Sequence, residues 1–595
     1  MSARTRQGKR DALEERARQS GILVEPRWGG ADEIPSRTLE ALVEALGIAP
    51  PSPQPRTEAA YVPPQLDSRK LFGVALQLYQ LRSPRNFGIG DLGDLTTLLK
   101  GFADLDVDFV GLNPLHALFT ADPSRASPFS PSDRRFLNPL IIAVDEVPGY
   151  APHMLSGVSI PSAVDEVDYP AVARAKLSVL REIFAAWRSG AAGVPGPSAQ
   201  ARLLDVSGEP QLGAFARFEA LSHAMVAQGH SSGWNDWPAP YQDPASAEVA
   251  AFAEANRTEV AFHVFLQRIA QTQLRAAQDA AISAGMEIGL YLDLAVGAAP
   301  DGAATWADRA LVMPGVRVGA PPDLFSSQGQ DWGLAPLSPT VLGERGFDPF
   351  REVLSAVMGP AGAARIDHAM GLERLFFIPD GMSALDGAYV AMPGLSDILV
   401  EESHRHHAIA IGEDLGVVPE GFRERMAARR IFSTRIVPFE RDGAAMRPPG
   451  RYPPDALACL STHDLAPLEA WWVGDEIAVR KALGTLNPAD AKRAIVARAE
   501  EKALLLGLAG LPPARSRDPI DDDLVVAIHR VVARSAARLA AVRLEDVVGG
   551  RRLVNLPGTD REHPNWRHTL PLTVDQILAS ERLRRVCAAM ATARP

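Results

Sequence analysis

Length, composition and charge already exclude several classes of protein. The chain has 595 residues, 46% of them hydrophobic and 22% charged, which is typical of a globular protein with a sizeable core. Its net charge of −11 argues against a nucleic-acid partner, because no excess of basic residues is available to neutralise phosphates. The two cysteines are too few for a disulfide framework, and the first residues lack the apolar core of a secretory signal. We therefore expect a cytoplasmic protein. No apolar run is long enough to predict a membrane span.

The N-terminal region predicts a small helical module over residues 1–49. Residues 36–47 have the apolar spacing of a short amphipathic helix, with Ser36 as the expected N-cap and Gly47 as the stop signal. The residues on its apolar face are Leu39, Leu42, Val43 and Leu46. The proline-rich stretch that follows favours extended backbone, which predicts a linker over residues 50–66.

The rest of the chain, residues 67–595, predicts an α/β protein built on a (β/α)8 TIM barrel. Short apolar runs that suit buried parallel strands recur there, and most are separated by helical stretches. Eight runs are found, and they begin at Leu71, Asp108, Met286, Ala363, Ala408, Thr434, Ala456 and Arg551. Eight is the number that closes such a barrel. Residues 160–285 are mostly helical in pattern and exceed one crossover helix, so we predict a large helical insertion there.

Acidic residues follow several of the predicted strands. They are Asp293, Asp367, the pair Glu413 and Asp414, and Asp464. Because strand C-termini in a β/α barrel converge on one face, these carboxylates are expected to share a pocket. Any one of them could instead form a turn or cap a helix. Together they favour glycosidic bond cleavage, which needs one carboxyl to protonate the leaving oxygen and another to meet the charge at the anomeric carbon.

The neighbouring residues suggest individual roles. Arg365 lies two residues before Asp367 on the same strand face, where its charge is expected to keep Asp367 ionised as a nucleophile. Glu413 has a longer arm and precedes a glycine-bounded turn, which suits a general acid and base. His368 and His463 stand beside Asp367 and Asp464, and each could donate a hydrogen bond to a sugar hydroxyl.

Two other patterns favour neither a cofactor nor a metal. Gly88, Gly90 and Gly93 form a G-x-G-x-x-G sequence, but they follow the strand too late for a dinucleotide site and predict a loop and a helix start. A second group, His404, His406 and His407, has no cysteine or carboxylate at zinc-site spacing, and we interpret it as a polar helix end.

Several longer motifs carry a resemblance that spans residues 70 to 570. They are ALQLYQLRSPRNFGIGDLGDL, NPLHALF, SPFSPSDRRFLNP, VGAPPDLFSSQGQDWGLAPL, RIDHAMGLERLFFIP, GEDLGVVPEGF and STHDLAPLEAWW. In this order they resemble the 4-α-glucanotransferases, the amylomaltase or disproportionating-enzyme family related to the α-amylases. The resemblance implies a retaining double displacement without a cofactor, with Asp367 as nucleophile, Glu413 as general acid and base, and Asp464 as transition-state stabiliser.

The resemblance also implies a set of substrate-binding residues. They are Asp293, Arg365 and His463 in the donor subsite, Asp323, Gln330 and Trp332 in the loop 319–333, and His368, Phe129 and Asn565. Trp332, Phe325 and Phe129 are candidates for stacking against an acceptor sugar, although Phe129 and Phe325 could equally be core residues. Phe129 departs from the family pattern, where a tyrosine is usual. The implied substrates are maltooligosaccharides and α-1,4-glucans as donors and acceptors, with glucose as a further acceptor.

Two alternatives remain open at this point. A glucan hydrolase would use the same carboxylates and differ only in whether water or a sugar consumes the intermediate. A noncatalytic glucan-binding protein would be expected to lack Asp367, Glu413 or Asp464, and all three are present.

Overall fold

Eight parallel strands close into a barrel in the computed structural model, which describes residues 3–25, 33–47, 57–162, 164–191, 193–322, 328–559 and 562–594. In chain order the barrel strands are β1 Leu71–Leu76, β2 Phe109–Leu112, β3 Gly289–Leu294, β4 Ala363–Ile366, β5 Ile409–Gly412, β6 Phe432–Ile436, β7 Ala456–Cys459 and β8 Leu539–Arg543. Each strand pairs with its neighbour in sequence, and β8 pairs with β1 to close the barrel. The predicted (β/α)8 fold class is confirmed.

Seven of the eight predicted strands overlap a barrel strand, and the eighth is wrong. The run at Arg551 is irregular, although Leu553 and Val554 are buried, while the last strand is Leu539–Arg543. The alanine-rich sequence of β8 closely follows the helix Asp522–Ala533, so its composition does not separate it from that helix. Pairing with both β7 and β1 makes it a strand.

The barrel strands hold their positions because apolar side chains fill the barrel interior. One buried cluster takes residues from successive strands, including Phe109, Tyr291, Ile409, Phe432, Leu457 and Leu539. The large rings need space from their neighbours. A Cβ atom on Gly73 would overlap the Phe109 ring, so glycine is required at this close approach.

The segment between β2 and β3 contains the whole of the predicted helical insertion. Its helices are Tyr169–Ser189, Pro197–Leu204, Pro210–Ala227, Ala239–Gln242, Ala247–Ala255 and Arg257–Ser283. They enclose apolar cores of their own. The last of these helices also packs on the barrel helix Leu92–Ala103, which joins the insertion to the barrel.

Smaller elements surround the barrel. A four-stranded antiparallel sheet has the order Ala388–Ala391, Arg374–Pro379, Val316–Ala320 and Gln330–Leu334. Two short antiparallel pairs are His116–Ala117 with Asp133–Leu137 and Arg441–Asp442 with Ala445–Met446. The remaining α-helices are Ala303–Ala307, Pro339–Glu344, Asp348–Met358, Leu395–His406, Phe422–Ala428, Leu468–Val473, Asp475–Ala482, Pro488–Leu508, Leu544–Val547, Val574–Ala579 and Glu581–Ala593. In the part of the chain that the structure describes, no helix is long and apolar enough to cross a membrane.

The two N-terminal helices, Ala3–Gln19 and Ser36–Leu46, pack on each other, and the four-stranded sheet contacts the second helix and the residues that follow the first. The Leu23 amide donates to the Tyr389 carbonyl at 2.9 Å, and Thr38 Oγ1 donates to the Asp386 carbonyl at 2.7 Å. The predicted N-cap is wrong by one residue, because Pro35 occupies that position and Ser36 begins the helix. Residues 50–56 of the predicted linker lie outside the described residues, so the domain boundaries stay a prediction.

Candidate active site

Three neighbouring side chains form an ion-pair network at the carboxyl ends of β3 and β4. Arg365 Nη1 lies 2.7 and 2.8 Å from the two Asp293 carboxylate oxygens and 2.9 Å from Asp367 Oδ1. All three groups are largely withdrawn from solvent, although the Asp367 side chain keeps 19% of its exposure. One guanidinium therefore orients two carboxylates in the same pocket.

Glu413 joins this network directly after β5. Its Oε2 accepts from the backbone amide of His368 at 3.1 Å, and its Oε1 accepts from the amide of Leu415 at 2.7 Å. Because His368 follows Asp367 in the chain, the first of these bonds brings Glu413 and Asp367 to the same point of the barrel rim. Asp367 and Glu413, the two carboxyls predicted from the sequence to be catalytic, are therefore neighbours.

Burial has the largest effect on the pKa values of Asp293, Asp367 and Glu413. Burial raises the pKa of Asp293 to about 6 and that of Glu413 to about 7, and in both cases the Arg365 charge opposes it. Burial also raises the pKa of Asp367, although Arg365 and His463 act in the opposite direction. Arg365 and Asp367 are in contact, as expected, and the Arg365 charge opposes the effect of burial on the pKa of Asp367. Desolvation of the carboxylate outweighs the attraction of a cation that Asp293 shares.

The segment after β7 carries His463 and Asp464 to the same pocket. His463 Nε2 lies 3.2 Å from Asp464 Oδ2, and Asn555 Nδ2 donates to Asp464 Oδ1 at 2.7 Å. Burial would raise the pKa of Asp464, but His463 and the Asn555 hydrogen bond outweigh it and hold this pKa below its usual range. The Asp464 side chain keeps 41% of its exposure. It is therefore an ionised carboxylate that is open to a ligand.

Aromatic rings pack around His463. The Phe129 ring stacks on His463 with 4.8 Å between centroids, and Trp566 lies 5.4 Å from His463 and 5.3 Å from Phe129. Trp566 adopts a left-handed backbone with φ 62°, which is rare for a bulky residue. Its carbonyl accepts a hydrogen bond from the Tyr169 hydroxyl at 2.7 Å. Phe129 therefore lies at the site, where its ring contacts His463.

The loop residues predicted to bind substrate are only partly described. The Trp332 ring meets the His368 ring edge-on at 5.1 Å, and Trp332 Nε1 donates to Gln330 Oε1 at 3.2 Å. Burial lowers the pKa of His368 to about 4, so its ring is neutral near pH 7. Asp323 and Phe325 lie outside the described residues. Trp332 and Gln330 are thus beside the pocket.

The sequence of the chain places it in a known family. The profile of the 4-alpha-glucanotransferase family matches residues 76–573, from β1 to beyond β8. This chain is a member of the 4-alpha-glucanotransferase family. It is 35% identical to the 4-alpha-glucanotransferase of Haemophilus influenzae, over 89% of this chain and 79% of the relative. It is also 35% identical to that of Mycobacterium tuberculosis, over 89% of this chain and 76% of the relative.

Solved structures agree with this family assignment. The amylomaltase of Corynebacterium glutamicum superposes with a TM-score of 0.77 at 32% identity, covering 88% of this chain and 75% of that one. The amylomaltase of Streptococcus agalactiae in complex with acarbose gives a TM-score of 0.72 at 18% identity, covering 88% and 99% of the two chains. The second likeness concerns the fold alone. The activity of this family, 4-alpha-glucanotransfer, is therefore the activity of this chain.

Two predicted residues of this 4-alpha-glucanotransferase have structural partners. The Asn565 amide accepts from the Leu556 backbone and donates to Thr559, so it holds a turn. Asp414 accepts from Arg423 at 2.7 Å and Arg435 at 3.0 Å and fixes the loop after β5. Asn555, which does contact Asp464, was missed because a lone asparagine in an irregular segment carries no pattern.

The two patterns set aside in the sequence are structural in this 4-alpha-glucanotransferase. Gly88 and Gly90 lie in a loop, and Gly93 falls in the first turn of the helix Leu92–Ala103, which confirms the predicted loop and helix start. His404 and His406 stand in the last turn of Leu395–His406, and His407 follows it, as the predicted polar helix end requires.

Replacing Asn555 tests its contact with Asp464. Asn555→Ala is expected to lower kcat/KM for maltotriose roughly 10- to 100-fold, since a hydrogen bond to a charged group contributes about 1.5–3 kcal/mol. Steady-state kinetics would measure the change. Asn487→Ala removes an asparagine that caps the outer helix Pro488–Leu508 and should leave kcat/KM within twofold. An unchanged Asn555→Ala enzyme would remove Asn555 from the site.

Proposed function

We propose that this 4-alpha-glucanotransferase transfers a segment of an α-1,4-glucan to the 4-hydroxyl of glucose or of another α-1,4-glucan by retaining double displacement. One observation carries the proposal: Glu413, with a pKa raised to about 7 by burial, lies beside Asp367, whose carboxylate pairs with Arg365. This provides a protonated carboxyl and an ionisable one in a single pocket.

In the first half-reaction, Asp367 attacks the anomeric carbon of the donor. The bond from that carbon to the glycosidic oxygen breaks, and the Glu413 proton goes to the departing oxygen. The products are a glycosyl ester on Asp367, an ionised Glu413 and a shortened glucan. The Arg365 charge then favours the ionised Glu413 that results.

In the second half-reaction, the acceptor 4-hydroxyl replaces the leaving glucan. Its oxygen attacks the anomeric carbon, its proton returns to Glu413, and the ester bond to Asp367 breaks. Two inversions at one carbon give net retention. The chemistry uses only carboxyl groups of this chain.

Asp464 and His463 are proposed to hold hydroxyls of the distorted sugar. The ionised Asp464 has about four acceptor positions, of which His463 and Asn555 use two, and the exposure of its side chain leaves room for a ligand. Contacts of this kind accelerate the reaction if they strengthen in the transition state.

Acceptor binding separates transfer from hydrolysis, because sugar and water compete for the same intermediate. Trp332 supplies an aromatic surface beside His368, and a sugar gains contact area there that water cannot. A cytoplasmic location is part of the proposal, and the two buried free thiols, Cys459 and Cys587, support it.

Incubation with maltotriose tests the proposed reaction. Chromatography would follow the chain lengths and free glucose, and a separate assay would count reducing ends. Longer and shorter maltodextrins at a constant number of reducing ends support transfer. A rising number of reducing ends would indicate hydrolysis, and an unchanged substrate would contradict the proposed donor.

Replacing Trp332 tests its role in acceptor binding. Trp332→Ala is expected to lower the ratio of transfer to hydrolysis about tenfold, because stacking contributes about 1 kcal/mol or more beyond simple burial. The ratio follows from the reducing-end count and the chain-length ladder in one reaction. Trp332→Phe keeps a ring and should recover most of the ratio. An unchanged ratio in Trp332→Ala would place acceptor selection elsewhere.

A further inference from the structure

Strand β8 ends on a buried arginine that reaches the segment after β7. Arg543 keeps 5% of its exposure, and its Nη1 donates to the carbonyls of both Thr462 and Leu465 at 2.7 Å. These two carbonyls flank His463 and Asp464 in the chain. A single guanidinium nitrogen therefore binds the backbone on both sides of His463 and Asp464, which carry two proposed active-site groups.

The arginine is itself fixed by a buried carboxylate. Glu545 Oε2 lies 3.2 Å from Arg543 Nε, and Arg543 Nη2 donates to Glu545 Oε1 at 3.3 Å. Asp546, the next residue, accepts from the Leu468 amide at 2.6 Å. The residues just after β8 thus fasten the segment 462–468 at three backbone groups.

The segment 462–468 has little regular structure of its own. It lies mostly between β7, which ends at Cys459, and the helix Leu468–Val473, and within it the Leu465 amide donates to the Thr462 carbonyl at 3.1 Å. A segment with few internal bonds takes its conformation from its anchors. Arg543 supplies two of the three anchors described above.

We propose that Arg543 is a positioning residue that sets the orientation of His463 and Asp464 toward the bound sugar. The proposal rests on the function proposed above for Asp464. Arg543 acts through the backbone carbonyls on either side of the pair and does not itself contact the reacting atoms. Displacement of a catalytic group by about 1 Å can cost about 100-fold in rate.

Lysine is the informative replacement at this position. An ammonium keeps the charge that balances Glu545, but its flexible stem does not reproduce the rigid, planar donor set of a guanidinium. Arg543→Lys is therefore expected to fold and to leave the segment 462–468 loosely held. Arg543→Met removes the charge as well, and circular dichroism would show whether it folds.

Arg594 offers a matched control at the other end of the barrel. It is also buried, and it donates to the carbonyls of Leu71 and Ala533, each at 3.1 Å. Leu71 begins β1, so Arg594 holds the amino end of the barrel, away from the catalytic rim. Arg594→Lys should lower the thermal midpoint and leave kcat within twofold.

The test compares kcat and KM for maltotriose in these variants. Arg543→Lys is expected to lower kcat about 30- to 100-fold and to change KM less than threefold. A merely structural role predicts a lower thermal midpoint with an unchanged kcat per folded molecule, as for Arg594→Lys. That result for Arg543→Lys would overturn the proposal.

A double-mutant cycle with Asp464→Asn separates the positioning role of Arg543 from the function proposed for Asp464. If Arg543 acts through Asp464, the loss caused by Arg543→Lys should shrink to less than threefold in the Asp464→Asn background, measured with α-maltosyl fluoride as an activated donor. Fully multiplicative losses would overturn the positioning role. An active Asp464→Asn enzyme would instead refute the proposed function of Asp464, whatever Arg543→Lys shows.

Discussion

Asp367→Asn is expected to reduce transfer from maltotriose by about 10⁴-fold or more while leaving the fold intact. The amide has nearly the shape of the carboxylate but cannot form the glycosyl ester, and removal of a nucleophile typically costs this much. Arg365 keeps its two contacts with Asp293, so the pocket retains its main ion pair. Initial rates of glucose release, with circular dichroism on the same preparation, would measure both effects.

Asp455→Asn is a suitable control for this variant. Asp455 immediately precedes β7, and its Oδ2 lies 3.4 Å from Arg430 Nε. Loss of the Asp455 charge therefore disturbs an ion pair at the amino end of the barrel. It should affect stability and leave kcat within threefold. A folded Asp367→Asn enzyme with near-normal transfer would exclude Asp367 as the nucleophile.

Glu413→Gln is expected to abolish transfer from maltotriose but to spare cleavage of an activated donor. General acid catalysis contributes about 10²–10⁴-fold when the leaving group needs a proton. Fluoride leaves without one, so α-maltosyl fluoride should still glycosylate Asp367 at a rate within about 100-fold of the parent. A fluoride electrode should record a burst followed by slow turnover, because deglycosylation lacks its base. Equal losses with both donors would assign Glu413 another role.

The pH dependence of the parent enzyme should follow from the same group. In the proposed mechanism Glu413 must carry a proton for the first half-reaction, and burial raises its pKa to about 7. Maltotriose cleavage is therefore expected to decline above pH 7, whereas glycosylation by α-maltosyl fluoride should lack this decline. Single-turnover rates between pH 5 and pH 9 would show the difference. The same decline with both donors would mean that another group causes it.

The stability of Glu413→Gln provides an independent readout. Burial raises the folded-state pKa from 4.5 to about 7, so the folded state binds the proton more tightly than the unfolded state. This contribution to stability is complete below about pH 4.5, declines as the pH rises to 7, and is lost above it. Glutamine does not titrate, so the variant should gain roughly 3 kcal/mol over the parent between pH 4.5 and pH 8. Urea unfolding at both pH values would measure it.

Much of the fold and of the site could be predicted from the sequence. Seven barrel strands are apolar runs with clear boundaries, and the acidic residues after them mark the rim of the proposed site because strand ends converge in this fold. The resemblance of the longer motifs to the 4-alpha-glucanotransferases is confirmed by the family match. These features depend on local sequence order, so they can be recognised without knowing which distant residues are in contact.

Only the tertiary structure decided the features that depend on distant partners. Strand β8 has no distinctive pattern and is defined by its pairing with β7 and β1. The net upward pKa shift of Asp367 reflects burial against a shared cation. The bond from Asn555 to Asp464 joins residues that lie 91 positions apart. Local sequence order therefore determined which side chains could perform the chemistry, whereas long-range packing determined how they are held and charged, since desolvation and hydrogen-bond geometry exist only in the folded chain.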